Sequence, residues 1–384
     1  MLGVCLRYTQ NNYGSKLQAL ATVKLFEELG VDYEIIRYNK KTLDFGLKSL
    51  SRCFNWVFIN DRYCQFQRAI EFKRHPNVKK QIDIRNKAFE SFDHCFEKHL
   101  SPIYDSYGAL KKECSQKYQN VITCSDQLWS PAALASGFYN LMFVPQNVLK
   151  ISLASSFGVS NIPWYQKRRT KQYLNRIEHI SMRENRGAEI VKELTGKDVP
   201  VLMDPVFAFD KEEWNSMIEP APSEWGEYIF CYFLGQNPEH RVVAKELAAK
   251  TGMKIVTLRH LDSYTAEDEN FGDVAPYDVD PKRFLNILRN ASYVCTDSFH
   301  GVAFSIIFEK KFLAFNRYND KSSNSKNSRI DSVCANLDLQ NRRFFNIENA
   351  FETLFRDIDY VVVGEKLNWY KQNTKSFLKN AFKL

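Results

Sequence analysis

Residues 2–38, LGVCLRYTQNNYGSKLQALATVKLFEELGVDYEIIRY, decide the fold. Residues 3–7 read as a short apolar strand, and the loop 9–14 is rich in turn-forming Asn, Gln and Gly. Leu17, Leu20, Ala21, Val23, Leu25 and Leu29 then recur at helical spacing, and Gly30 closes the helix. Residues 31–38 make a second strand. A strand, a small-residue loop and a helix in that order open a doubly wound α/β domain.

Outward from this unit the rhythm breaks and then returns. Between about 43 and 115, Phe54, Trp56, Phe58, Phe66, Phe72, Phe89, Phe92 and Phe96 mix with Lys and Arg that outnumber the acids, which predicts a helical insert. Strands are expected at 120–124 and 150–158, helices at 166–176 and 185–194, and 199–205 ends the first half. Pro220, Ala221, Pro222 and Ser223 mark a linker. The β-α alternation resumes over 228–315 and predicts a second parallel-sheet domain. The domain reading is 1–209, 225–345, and C-terminal helices over 346–384 that pack back on the first domain.

The 384 residues carry 44% hydrophobic and 14% aromatic side chains, enough for two cores. The net charge of +8 is spread along the chain, which suits anionic substrates or an acidic membrane face better than nucleic acid. Nine cysteines without a CxxC read as reduced, buried thiols, with no metal site expected. The apolar start is too short for a signal peptide and no stretch spans a bilayer, so a cytoplasmic protein is expected, working at the inner face of the cell membrane.

Five pieces lie in order: Asn12-Tyr13-Gly14-Ser15-Lys16-Leu17-Gln18-Ala19, Ser125-Asp126-Gln127-Leu128-Trp129, Ser181-Met182-Arg183-Glu184, Asp204-Pro205, and Thr296-Asp297-Ser298-Phe299-His300-Gly301. Together they resemble the polysaccharide pyruvyl transferase family. The resemblance implies two Rossmann-like domains facing a cleft, a glycosyltransferase-B-like architecture. It also implies phosphoenolpyruvate as donor, a lipid-linked saccharide as acceptor, and no cofactor. The N-terminal domain would hold the acceptor and the C-terminal domain the donor. Members often carry Arg-Leu-His-Gly where this chain has Ser298-Phe299-His300-Gly301, so one expected positive charge is missing.

Pyruvyl ketal formation needs cations for a multiply charged donor and an acid to protonate the enol carbon. His300 opens a helix after a strand, where ligands gather in a doubly wound sheet, and is the first catalytic candidate. Asp126 is the second, as a base for an acceptor hydroxyl, or else a helix cap. Arg183 offers a carboxylate or phosphate fork, or a salt bridge to Glu184. Asp297 reads as a cap or as the partner of His300, and Ser298 as a phosphate donor or a cap. Gly301 permits close packing or ligand approach. Arg329, beyond the polar loop 319–328, reads as a solvated loop arginine or as a replacement for the missing charge. Asn12, Tyr13 and Gly14 form a loop whose amides suit an oxyanion; Gln18 faces the cleft or braces a loop. Trp129 stacks on sugar or packs in the core, and Asp204 fixes a turn. Two alternatives stand beside the transferase: a nucleotide-sugar glycosyltransferase of the same architecture, and a non-catalytic module of a capsule-assembly complex.

Overall fold

The computed structural model describes residues 1–48, 50–132, 137–262, 264–317 and 327–384. The apolar runs form two parallel sheets. The first comprises β1 (Leu2–Cys5), β2 (Tyr33–Tyr38), β3 (Leu100–Tyr104), β4 (Asn120–Cys124), β5 (Leu149–Ser155) and β6 (His179–Met182), in the order β3-β2-β1-β4-β5-β6. The second comprises β7 (Tyr228–Tyr232), β8 (Lys254–Thr257), β9 (Tyr293–Thr296) and β10 (Lys311–Ala314), in the order β10-β9-β7-β8. Every residue of β1 and of β7 is buried, as expected of central parallel strands covered on both faces.

The first helix, Tyr13–Glu28, is buried on almost every side. Asn12 starts it by accepting from the Ser15 N–H at 3.1 Å, so it begins three residues before the expected position. Its outer side is covered by the second half. The Tyr13 ring stacks on Phe284 at 4.7 Å and meets Phe89 of the insert at 4.8 Å. The Tyr13 hydroxyl donates to the Val279 carbonyl at 3.1 Å. One side chain thus touches both halves and the insert. Tyr13→Phe keeps the stack and loses only that hydrogen bond, with an expected destabilisation of about 1 kcal/mol in urea unfolding.

The insert departs from expectation in its second part. Helices Trp56–Arg74 and Pro76–Asp93 are followed by the edge strand β3 and by helix Tyr107–Lys117. The sheet therefore resumes near residue 100. The 210–225 stretch likewise opens with a short helix, Lys211–Met217, held by a reciprocal capping box between Asp210 and Glu213. The last helix, Tyr360–Phe382, reaches the first helix through a Lys375–Glu28 ion pair and a Phe382–Phe26 contact at 6.1 Å. All nine cysteines are free thiols, and six are buried; Cys53, Cys64 and Cys95 lie outside the core, because the insert is thin. No described helix is long and apolar enough to cross a membrane.

Candidate functional site

Each sheet reverses its winding once. In the first sheet this happens between β1 and β4, and in the second between β7 and β9. Loops leaving adjacent strands in opposite directions open a crevice at such a point, and ligands collect there. The loops concerned carry Arg7 to Gly14 and Ser125 to Gln127 on one side, and Leu234, Gly235 and Asp297 to His300 on the other.

The two crevices meet at His300. It is the second residue of helix Phe299–Ile307, and its imidazole lies against Gly14 of the opposite half. A Cβ added at Gly14 would fall 2.0 Å from His300 Nδ1. Asp204 Oδ2 lies 3.6 Å from His300 Nε2, accepts from Arg183 Nη1 at 2.8 Å, and accepts from the Ser125 hydroxyl at 2.8 Å. The Arg183 guanidinium sits over the Phe299 ring at 4.7 Å, and that of Arg329 at 5.7 Å. Asp126 Oδ2 accepts from the Ser15 hydroxyl at 3.1 Å and from Arg7 Nη1 at 3.5 Å. Ser125 and Asp126 both adopt left-handed backbone, φ 42° and 54°. Such residues are strained by about 1 kcal/mol or more each, and they turn both side chains into the crevice.

Buried polar atoms normally find partners. In this cluster Arg183 Nε and Nη2, His300 Nε2 and Glu184 Oε2 are buried and have none among the described residues. The site is built, and part of its hydrogen-bonding capacity is unused.

Residues 12–320 match the family model of polysaccharide pyruvyl transferases, about four-fifths of the chain. The chain belongs to that family. No curated protein matches it in sequence. In three dimensions this pyruvyl transferase family member is similar to the UDP-GlcNAc 2-epimerase of Neisseria meningitidis bound to UDP-GlcNAc, with 10% identity, 99% of this chain and 98% of that one covered, and a TM-score of 0.55. It is also similar to a putative UDP-N-acetylglucosamine 2-epimerase of Listeria monocytogenes, at 12% identity, 97% and 90% coverage and a TM-score of 0.50. An alpha-glucosyltransferase in complex with UDP and a 13-mer DNA gives 9% identity, 98% and 94% coverage and a TM-score of 0.50. The likeness is one of fold. It is the glycosyltransferase-B architecture of two Rossmann-like domains facing a cleft.

Against the family's motifs, the structure brings together His300, Asp126, Arg183, Gly14 and Arg329, and gives several of them different work from that expected. Burial acts to raise the Asp126 pKa, but Arg7, Arg183, the Gln127 N–H and His300 together hold it at about 2. Asp126 is therefore held ionised, and it orients Arg7 and Ser15. Asp204 does more than fix a turn. Its Oδ1 caps the backbone at Val206, while its Oδ2 is the anion shared by Arg183 and His300. Burial opposes its ionisation, yet His300 and Arg183 hold its pKa below the ordinary carboxylate range. Arg183 pairs with Asp204 at 2.8 Å, and its contact to Glu184 is the longer one at 3.9 Å.

Other candidates have structural partners. Trp129 is 1% exposed and its indole N–H donates to the Tyr139 carbonyl, so it offers no face to a sugar. Gln18 is buried and donates to Thr22 one turn on. Ser298 caps its helix by accepting from the Gly301 N–H, and a Cβ at Gly301 would meet Thr296 Oγ1 at 2.4 Å, so helix packing explains the glycine. Asp297 neither caps nor holds His300; it accepts from the Leu234 and Gly235 N–H groups at 2.6 and 2.8 Å and ties the β7 loop to β9. Asn12 caps the first helix and Tyr13 packs at the junction. Arg329 opens helix Ser328–Asn336, whereas loop residues 319–326 lie outside the described residues.

Arg7, Ser15, Ser125, Gln127, Glu184 and Phe299 complete the site; all but Arg7 lie within the family pieces, though none was a site candidate. With its oxygen turned to the guanidinium, the Gln127 amide accepts from Arg329 Nη2 at 2.9 Å. Glu184 is 2% exposed; burial raises its pKa against the pull of Arg183, the Ser156 hydroxyl and Arg329. Burial and the neighbouring Arg183 lower that of Arg329 to about 10. A positive-φ pair after β4 was the one signal that loop geometry, unlike sequence, displays.

The depressed Asp126 pKa predicts a pH dependence. Its ordinary value of 3.8 falls to about 2 in the fold, a stabilisation of about 2 kcal/mol that is complete above pH 4 and lost as pH falls through about 2. Asp126→Asn is expected to flatten the stability profile between those values in urea unfolding. An acid limb as steep as that of the unmodified protein would overturn the assignment.

Proposed function

We propose that the protein transfers a pyruvyl group from phosphoenolpyruvate to two hydroxyls of a cell-surface saccharide precursor. One observation carries this reading: at the junction of the two crevices, Arg183 and Arg329 both sit over the Phe299 ring next to His300, and Arg183 Nε and Nη2 are buried without a hydrogen-bond partner among the described residues. The family places the chain among transferases that modify polysaccharides. A small, multiply charged anion carrying both a phosphate and a carboxylate complements such a site.

In the proposed sequence, the donor carboxylate or phosphate accepts from Arg183 Nε and Nη2, and Arg329 supplies the charge that Ser298 does not. His300 gives its proton to the enol CH2 carbon, which becomes a methyl group and leaves an oxocarbenium-like C2. One sugar hydroxyl adds to C2 and passes its proton to the His300 imidazole, which is recharged. The C2–O bond to phosphate then breaks, and the second hydroxyl adds and passes its proton to the departing phosphate. The products are the pyruvate ketal and inorganic phosphate. Asp204 holds His300 and Arg183 in one geometry, and Asp126 holds Arg7.

The test is incubation with phosphoenolpyruvate and a panel of lipid-linked glycans, reading phosphate release and the mass of the glycan, with UDP-sugars as a parallel donor arm. Phosphate release with a ketal mass gain is expected. Glycosyl transfer from a UDP-sugar, with phosphoenolpyruvate inert, would replace this reading by the glycosyltransferase one.

A further inference from the structure

The insert buries Phe89, Phe92 and Phe96, but its first long helix does not pack an apolar face on the domain as amphipathic helices usually do. Helix Trp56–Arg74 has no buried residue. Its Trp56, Ile59, Tyr63 and Phe66 are all exposed and recur at helical spacing, so they form one stripe. Phe54, just ahead of it, is 85% exposed, and Trp56 is 74% exposed.

A second exposed aromatic and basic segment, distant in sequence, starts beside it. Helix Trp164–Arg176 buries Gln166, Thr170, Tyr173 and Leu174. Its opposite stripe is Trp164, 84% exposed, followed by Lys167, Arg168 and Lys171, also exposed. No acidic residue interrupts residues 164–176. The two helix starts are pinned together. Tyr165 Oη donates to Asn55 Oδ1 at 3.3 Å, and the amides of Asn55 and Gln166 both donate to the Pro131 carbonyl, at 2.8 and 3.1 Å. Trp56 and Trp164 therefore flank one joint. Pro131 lies four residues beyond Gln127, which touches Arg329 in the site.

We infer that this joint is a docking surface for an anionic lipid bilayer, with Phe54, Trp56 and Trp164 entering the headgroup region and Lys167, Arg168 and Lys171 meeting acidic headgroups. Charge complementarity selects this occupant. Aromatic rings with an amphipathic edge settle at the membrane–water boundary, and a cationic stripe beside them adds attraction to anionic lipid. A second copy of the chain would set like cationic stripes against each other. The surface borders the loop that carries Asp126 and Gln127, so bilayer docking brings the crevice of the first half near the membrane.

The test is flotation of the full-length protein with phosphatidylcholine vesicles and with phosphatidylglycerol-containing vesicles, at low and high salt. Binding to the anionic vesicles is expected, weakened by salt. Reversing the three cations (Lys167→Glu, Arg168→Glu, Lys171→Glu) should weaken it by at least about 10²-fold. Trp56→Ser with Trp164→Ser should weaken it by at least about tenfold. His300→Ala should bind as the unmodified protein does, whatever becomes of the pyruvyl transfer reading. No vesicle binding would overturn the inference. So would binding that survives the charge reversals, or a dimer in sedimentation that the tryptophan changes dissolve. Retention on an oligonucleotide that depends on the cations alone and ignores the tryptophans would mark a polyanion site and overturn it equally.

Discussion

His300→Ala is expected to lower phosphate release from phosphoenolpyruvate by about 10²–10⁴-fold, the range set by losing a positioned proton donor. The imidazole is the group on which both crevices converge, pressed on Gly14 and facing Asp204. The fold should survive, because Asp204 keeps Arg183 and the Ser125 hydroxyl as partners when the imidazole is removed. Gly14→Ala provides an independent arm. It leaves the imidazole's chemistry intact but drives a Cβ to within 2.0 Å of its Nδ1, so ring or backbone must move, at a cost of about 1–3 kcal/mol. Turnover of both variants is read beside far-UV circular dichroism and urea unfolding. A His300→Ala protein that is folded and as active as the parent would remove the imidazole from the chemistry.

Asp204→Ala is expected to destabilise the protein by about 3–5 kcal/mol, because it strands the Arg183 charge in the interior. Arg183 and Asp204 are both almost wholly buried and meet at 2.8 Å. Ser125 Oγ and the Val206 N–H also lose their acceptor. Asp204→Asn keeps the shape and a carbonyl oxygen for the cap while deleting the charge. It should fall between the parent and the alanine variant in urea midpoint, and it should impair turnover by letting Arg183 move. Equal stability of the asparagine variant and the parent would show that the ion pair contributes nothing.

How much of this was readable beforehand differs by element. The first β-α-β unit was, because apolar residues recur with periods of two and 3.6 and little else competes. β3 was not. Its sequence, Leu100-Ser101-Pro102-Ile103-Tyr104, contains a proline that argues against a central strand. It is tolerated because β3 is an edge paired only with β2. The aromatics of 43–115 predicted helices, but composition does not say which way a stripe points: Phe54, Trp56 and Phe66 face outward while Phe89, Phe92 and Phe96 are buried. Trp129 and Gln18 show the same difficulty in reverse, since residue types suited to binding were taken up by the core.

From the chain's own order of residues came the α/β class, the family motifs and the candidacy of His300 and Arg183, because these rest on local period and on short runs of neighbouring residues. Tertiary structure alone assigned the partners. Strand order set the β1 and β4 loops side by side, domain packing drove Gly14 against His300, and Asp204 proved to be the anion joining His300 to Arg183. Those pairings span up to 286 positions along the chain. A carboxylate's charge state and the direction of a side chain depend on what surrounds it in space, and local sequence does not encode that environment.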